Sequence, residues 1–303
     1  MKNLRQKILV TDKNFSINKK KILSILDYNL DVDIYSSKKK LEPINQISLL
    51  RKYNFLVVGT EKYTNKVLSE LPNLKAISRI GTGIDSIDII KAKQRNIKIL
   101  RTLTSHVYPC AESGISALLS ILKNSHLNNN NLKKKRWIKI KSKTLFKSNI
   151  GFVGYGKVAN KIDKFLESFN INSYYYDPFL KRKSNKEKAL KYLFKNCDYI
   201  FITCDANKTS YHLINEKILK DSKKDIILLN LARGSIVKTK DIINFLKKNK
   251  RSVYYSDVYE EEPYFGKLLM LENFIGSPHV LSFCEKFREL TEIESINNLR
   301  KYL

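Results

Sequence analysis

Three polar residues in the last third of the chain have types and spacing that suit acid–base chemistry. His279 ends the segment GSPH, Glu262 ends DVYEEE, and Arg233 follows the apolar run IILLNLA. A histidine beside a glutamate is a better base and is held in one orientation, which proton exchange with a hydroxyl near neutral pH requires. An arginine guanidinium donates two parallel hydrogen bonds that suit a carboxylate. Together these residues predict a site that binds a carboxylate and moves a proton.

Each of these residues also has an ordinary structural interpretation. Arg233 could cap a helix or form a salt bridge, Glu262 follows two other glutamates and could be solvated, and His279 could belong to a turn after a proline. His106 and His126 lack a comparable context, and His212 lies in a segment that leads into a helix, so all three are interpreted as structural.

A glycine-rich segment, GFVGYGKVA at 151–159, closes one predicted strand and opens a helix. Gly154, Gly156 and Ala159 meet the spacing G-x-G-x-x-G/A. The first glycine permits a tight turn, the second lets the backbone approach a pyrophosphate, and the small third residue allows close helix–strand packing. Free N–H groups and the dipole at the helix start favour a diphosphate. The segment therefore predicts a dinucleotide-binding turn.

Asp177 supports this interpretation because it ends the next predicted strand, 21 positions after Gly156. An acid at this offset of about 20 residues binds the ribose 2′-hydroxyl and repels a 2′-phosphate, so NAD is preferred over NADP. Lys181, Arg182 and Lys183 follow and moderate that preference. A tight turn without a ligand is the alternative, and the combination of strand, helix and acid disfavours it.

Short apolar runs alternate with helical patterns along most of the chain. The predicted strands are 7–11, 55–60, 74–81, 97–102, 149–154, 171–177, 198–204, 225–232 and 253–258. The predicted helices are 19–26, 65–71, 84–96, 112–123, 157–169, 186–196, 213–220, 239–248 and 284–303. The segment 128–143, rich in Asn and Lys, is predicted to be a surface connection. This alternation indicates βαβ units and parallel sheets, and hence two doubly wound α/β domains.

The composition narrows the functional class. The 303 residues include 57 Lys and Arg against 29 Asp and Glu, a formal net charge of +28, yet only 11 of the 57 are Arg. Base recognition and bidentate phosphate binding favour Arg, so we expect no nucleic-acid partner and attribute the scattered lysines to an AT-rich genome. The four cysteines lack zinc or redox spacing, and no apolar run reaches the length of a membrane span. A soluble cytoplasmic protein with no metal and no membrane contact is expected.

A series of segments, in order and spacing, resembles the D-isomer-specific 2-hydroxyacid dehydrogenase family, in its phosphoglycerate-dehydrogenase-like branch. They are RIGTGIDSID (79–88), AES (111–113), GFVGYGKVA (151–159), YYYDPF (174–179), LNLARGSIV (229–237), DVYEEEP (257–263) and SPH (277–279). The resemblance runs from about residue 55 to 285. It implies a Rossmann-like NAD-binding domain at 104–281, inserted into a discontinuous, flavodoxin-like substrate domain formed by 1–103 and 282–303.

The resemblance also implies a role for each candidate residue. Arg233 would bind the substrate's carboxylate and carbonyl, Glu262 would orient His279, and His279 would exchange the hydroxyl proton. The implied substrate contacts besides Arg233 are Gly81, Thr82 and Gly83. The implied cofactor contacts are Gly154, Tyr155, Gly156, Lys157, Val158, Ala159, Asp177, Cys204, Leu231, Ala232 and Asp257. The implied activity is the NAD-dependent interconversion of a D-2-hydroxy acid and a 2-keto acid, by a homodimer joined near residues 104–150.

Two further expectations concern the reaction. A non-catalytic NAD-sensing regulator of the same fold is the alternative function, and it is disfavoured because all three catalytic positions are filled. Val58 stands where some phosphoglycerate dehydrogenases carry an Arg for the substrate phosphate. We therefore predict that 3-phosphoglycerate is not the best substrate and that a non-phosphorylated 2-hydroxy acid is turned over at least as well.

Overall fold

The computed structural model describes residues 6–26, 30–37, 41–103, 105–181 and 184–303. The chain divides into two compact units, one formed by Met1–His106 with Phe283–Leu303 and the other by Val107–Ser282. The second unit is thus an insertion into the first. Sequence analysis expected the crossovers at 103/104 and 281/282. Thr104, at the predicted crossover, and Arg182 and Lys183, which follow Asp177, lie outside the described residues.

Strands and helices alternate in both units. The strands are β1 (Lys7–Val10), β2 (Asp31–Ile34), β3 (Phe55–Val58), β4 (Ala76–Arg79), β5 (Lys98–Arg101), β6 (Asn149–Val153), β7 (Asn172–Tyr176), β8 (Tyr199–Ile202), β9 (Ile227–Asn230), β10 (Val253–Ser256) and β11 (Phe274–Gly276). The helices are α1 (Lys19–Leu26), α2 (Ile47–Leu50), α3 (Asn65–Ser69), α4 (Ile89–Gln94), α5 (Val107–Leu122), α6 (Ser125–Lys133), α7 (Lys157–Leu166), α8 (Leu190–Asn196), α9 (Glu216–Leu219), α10 (Thr239–Lys248) and α11 (Glu285–Asn297). Within the described ranges, none of the helices has the length and apolar character needed to cross a bilayer.

The first unit is built on a parallel sheet with the strand order β2-β1-β3-β4-β5. The central strand β3 is buried along its whole length, as expected for a continuous apolar run covered on both faces. Helix α11 joins this unit because Ser295 on the helix accepts a hydrogen bond at its carbonyl from Ser78 Oγ at 2.6 Å. The buried Glu292 also accepts bonds from the backbone N–H and hydroxyl of Ser16.

The second unit is built on a parallel sheet with the strand order β11-β10-β9-β8-β6-β7. The chain runs outward from β6 to β7 in one direction and from β8 to β11 in the other, so the order reverses beside β6. In open parallel sheets, ligands bind outside the carboxyl ends of the strands at such a reversal. The topology therefore locates a binding crevice after β6 and β8, next to the glycine turn.

The structure corrects several element predictions. Strands β2 and β11 were not predicted, and each lies at one end of its sheet. Helix α6 occupies part of the segment that was predicted to be a surface connection. Helix α4 covers only Ile89–Gln94 of the predicted 84–96, and α5 begins at Val107 instead of 112. Apart from the start of α5, these differences fall in short or polar segments, where the hydrophobic pattern is weakest.

Candidate active site

The candidate residues of the second unit lie where its parallel strands end, which places them along one edge of the sheet. In order of strands β6 to β11 they are Gly154, Asp177, Cys204, Arg233, Asp257 and His279. This is the edge at which open α/β sheets bind ligands.

The glycine turn after β6 requires glycine at one position and leaves space at another. Gly154 has a positive φ of 85°, and a Cβ there would lie 2.5 Å from the Cα of Cys204. A Cβ on Gly156, at the start of α7, would meet no described atom within 4 Å. The small Ala159 is fully buried against the sheet. The open space over Gly156 and the helix start forms a cradle that suits a diphosphate.

Asp177 is fixed at the rim of this turn by backbone donors. Its Oδ2 accepts a hydrogen bond from the N–H of Tyr155 at 2.8 Å, and its Oδ1 accepts one from Phe179 at 3.0 Å. The Tyr155 ring stacks on Tyr175 with centroids 4.4 Å apart, and its hydroxyl donates to the buried Asp163. The Tyr155 side chain is therefore anchored beneath the turn. The carboxylate of Asp177 is set beside the cradle, as binding a ribose hydroxyl requires.

The other predicted cofactor positions line the same edge. Lys157 is exposed and Val158 half-buried on the first turn of α7. Burial raises the pKa of the Cys204 thiol to about 12, so this side chain is neutral at physiological pH. Leu231 donates its N–H to the carbonyl of Ile202 at 3.0 Å, which continues the strand pairing past β9. Cys204 and Leu231 are thus uncharged side chains at this edge of the sheet.

His279 and Glu262 form a direct pair. The distance between His279 Nδ1 and Glu262 Oε2 is 2.8 Å, and both side chains are about one-third exposed. Glu262 Oε1 also accepts the N–H of Tyr259 at 3.1 Å. Burial by itself would raise the pKa of Glu262, but the His279 hydrogen bond and charge, the Tyr259 N–H and the nearby Arg233 lower it overall. Glu262 is therefore a carboxylate that fixes Nδ1 of the imidazole.

Asp257 holds the segment that carries His279. It is almost fully buried, and its carboxylate accepts bonds from Ser277 Oγ and from the N–H groups of Val280 and Leu281. Its backbone carbonyl accepts the N–H of His279 at 2.8 Å. Burial raises the pKa of Asp257, although these donors oppose the rise. The carboxylate proposed as a cofactor contact thus serves first to fix the turn from Ser277 to Leu281.

Arg233 lies shortly after β9, in a segment that packs against the loop carrying Glu262. Its backbone is extended, and its Nη1 donates to the carbonyl of Ala232 at 2.6 Å. The next residue, Gly234, packs so closely on the 259–260 peptide that a Cβ would lie 1.9 Å from the carbonyl carbon of Tyr259. The Arg233 charge is also one cause of the lowered pKa of Glu262. Arg233, Glu262 and His279 therefore form one cluster.

The family model described as "D-isomer specific 2-hydroxyacid dehydrogenase, NAD binding domain" matches residues 115–280, which hold the glycine turn, Asp177 and this cluster. The chain belongs to the D-isomer specific 2-hydroxyacid dehydrogenase family. This membership makes it an NAD-dependent oxidoreductase and confirms the cofactor expected from the sequence. The expected fold is confirmed by its structural similarity to known members. The glycine cradle and Asp177 fit NAD.

Relatives from other organisms support this membership. The chain is 27% identical over 274 residues to a glyoxylate reductase of Pyrococcus horikoshii, covering 85% of this chain and 82% of the relative. It is 27% identical over 279 residues to a hydroxypyruvate reductase of Thermotoga maritima, covering 88% and 90%. The fold is similar to D-lactate dehydrogenase from Aquifex aeolicus complexed with NAD and lactic acid, with a TM-score of 0.84, 22% identity and coverage of 98% and 95%.

The predicted substrate contacts of this family member outside the second unit follow β4 in the first unit. Gly81 has a positive φ of 126° and donates its N–H to Thr102 Oγ1 at 2.8 Å. Thr82 and Gly83 come next and are half-buried. The Gly81 N–H is thus used within the first unit, which leaves the following two residues as the better candidates for a substrate carboxylate.

Asn230 is a site residue that sequence reasoning did not select. It is fully buried at the end of β9, where its Oδ1 accepts the N–H of Ala232 and its Nδ2 donates to the carbonyl of Arg233 at 3.0 Å. These bonds fix the backbone from which the arginine extends. The signal was present in the sequence, as a polar residue interrupting an apolar strand.

Proposed function

We propose that this chain interconverts a D-2-hydroxy acid and a 2-keto acid, with NAD or NADH as the redox partner. The observation that carries the proposal is the His279–Glu262 pair, 2.8 Å between Nδ1 and Oε2, at the carboxyl edge of the cofactor sheet beside Arg233. The glycine turn after β6 and Asp177 would hold the cofactor, which would supply a hydride acceptor for oxidation as NAD and a hydride donor for reduction as NADH.

His279 is the acid–base residue in this proposal. Glu262 binds Nδ1, which leaves Nε2 to take the proton of the substrate hydroxyl during oxidation and to return it to the carbonyl oxygen during reduction. Because the pKa of Glu262 is lowered, its carboxylate stays charged and stabilises the imidazolium that forms. Arg233 donates to the carboxylate and carbonyl of the substrate, and so stabilises negative charge that develops on the reacting oxygen.

We also propose a small, non-phosphorylated substrate. Arg233 supplies donors for the carboxylate and the reacting oxygen of such a substrate. A phosphate needs cationic partners of its own. Val58 is buried at the end of β3, and the nearby Lys62 is an exposed point charge without the fork of an arginine.

A substrate panel followed by NADH absorbance tests both proposals. Glyoxylate, hydroxypyruvate and pyruvate are compared in the reducing direction, and glycerate and 3-phosphoglycerate in the oxidising direction, each with D and L isomers where they exist. We expect turnover of the D isomer and a kcat/KM for glycerate at least equal to that for 3-phosphoglycerate. A phosphate preference above about 100-fold, or about 2.7 kcal/mol, would overturn the substrate proposal. NADH binding without turnover of any acid would instead favour the regulator.

We further propose a homodimer in the cytoplasm. The region near the expected dimer contact carries large exposed apolar side chains, among them Trp137 at 84% and Phe146 at 57% exposure. The four cysteines, all among the described residues, are free thiols, as is usual in a reducing compartment.

A further inference from the structure

The loop that carries Glu262 holds a second histidine–glutamate pair. His212 Nε2 lies 2.5 Å from Glu260 Oε1, and the two side chains are 26% and 31% exposed. The two glutamates that bind histidines therefore stand two residues apart, Glu260 with His212 and Glu262 with His279. The intervening Glu261 is exposed.

His212 is itself fixed to the segment that carries Arg233. Its backbone N–H donates to the carbonyl of Ser235 at 2.8 Å, and its own carbonyl accepts from Asn215 Nδ2 at 2.9 Å. The Tyr211 ring stacks on the imidazole with centroids 4.0 Å apart. The imidazole of His212 is thus held at a defined place next to residues 233–236.

The Arg233 segment and the Glu262 loop meet backbone to backbone. Gly234 leaves no space for a Cβ against the peptide joining Tyr259 and Glu260. The contact between His212 and Glu260 ties the same peptide to the segment at 212–215 through a side chain. Three segments therefore meet directly before Glu262: residues 210–215, 233–236 and 257–263.

We propose that His212 and Glu260 are positioning residues that hold the Glu262 loop against the Arg233 segment, and so set the orientation of His279. A histidine must present its Nε2 to the substrate with little error, because a displacement of about 1 Å can cost on the order of 100-fold in rate. A surface contact between a histidine and a glutamate contributes little to stability, so removing either partner should leave the Tm nearly unchanged. This inference rests on the proposed function.

Matched variants test the proposal by kinetics. His212→Asn keeps a residue type that tolerates the positive φ of 49° but does not reach Glu260, and Glu260→Ala removes the other partner. Each is expected to lower kcat about tenfold, with KM for the keto acid, the Kd of NADH and the Tm close to those of the wild type. Glu261→Ala, next to Glu260 and exposed, is the control and should change kcat less than twofold.

A double-mutant cycle separates positioning from a general structural effect. If Glu260 acts through Glu262, then adding Glu260→Ala to the Glu262→Gln variant should lower kcat little further. The proposal would be overturned if the two losses of kcat multiply in the double variant, or if Glu260→Ala keeps the wild-type kcat. It would also be overturned if the loss of kcat comes with weaker NADH binding and a lower Tm.

A second measurement needs no turnover. The chain has four histidines, so ¹⁵N-histidine labelling gives a spectrum in which His279 Nδ1 is assigned with the His279→Asn variant. In His212→Asn and Glu260→Ala this resonance should move toward its position in Glu262→Gln, and in Glu261→Ala it should stay. An unmoved resonance would refute the positioning role. If no acid is turned over by the wild type, the proposed function fails while this measurement still decides the role of the pair.

Discussion

At the residue scale, the proposed chemistry depends on the imidazole of His279. We expect His279→Ala to lower kcat by roughly 100-fold or more, because it removes the group that exchanges the substrate proton. The Kd of NADH, measured by fluorescence, should change little. His126→Ala, on α6, is the control and should keep wild-type turnover. Near-wild-type turnover of His279→Ala would contradict the assignment of the acid–base residue.

Glu262 allows a prediction of pH dependence. Its pKa in the folded chain lies below the ordinary value of 4.5, so ionised Glu262 favours folding at every pH above 4.5. That contribution is lost as the pH falls through the lowered folded pKa. The Tm difference between wild type and Glu262→Gln should therefore close as the pH falls below about 5. The corresponding difference in the free energy of unfolding should stay under about 1 kcal/mol, because the His279–Glu262 pair is partly exposed. A Tm difference that disappears near neutral pH would show that a group other than Glu262 is responsible.

Asp177 is the residue that we propose determines the choice between NAD and NADP. Asp177→Ala removes the carboxylate beside the glycine cradle, so it should weaken NAD binding and narrow the kcat/KM ratio between NAD and NADP. Steady-state kinetics with both cofactors measures the ratio. Asp221→Ala, at an exposed position after α9, serves as the control. An unchanged ratio in Asp177→Ala would remove this residue from the cofactor site.

At the element scale, two glycines in the turn between β6 and α7 are expected to have different roles, one in stability and one in cofactor binding. Gly156→Ala should keep the Tm, since its Cβ meets no described atom, but should weaken NADH binding by about tenfold or more because the methyl group fills the cradle. Gly154→Ala should lower stability by about 1–3 kcal/mol, because of its positive φ and the contact with Cys204. Thermal melts and NADH titrations distinguish the two. Equal NADH affinity in Gly156→Ala and wild type would contradict the cradle.

The elements that sequence analysis predicted best are the buried ones. Strands β3, β8 and β9 are continuous apolar runs covered on both faces, so their pattern alone identifies them. The short β2 and β11 pair along one edge only, and their register comes from the neighbouring strand. Helix α6 has an Asn-rich sequence and no buried residue, so no apolar face marked it as a helix.

At the scale of the whole molecule, we expect a homodimer formed near residues 104–150. Trp137→Glu should shift the mass in light scattering toward that of one chain, because it sets a charge in an apolar contact. Phe265→Glu is the matched control, since Phe265 is 85% exposed and lies outside that region. A wild-type chain that is monomeric at micromolar concentration, or dissociation by Phe265→Glu alone, would contradict this contact.

The sequence by itself determined the fold class, the cofactor and the candidate residues, because these follow from local patterns: apolar runs that alternate with helices, glycine spacing, and an acid about 20 residues later. The family resemblance already implied that Glu262 orients His279, whereas only the tertiary structure decided that Glu260 meets His212. Glu260, Glu261 and Glu262 are consecutive and alike, yet Glu260 contacts His212 and Glu262 contacts His279. These contacts join residues 48 and 17 positions apart, and such pairings depend on where strand ends converge, which no local pattern encodes.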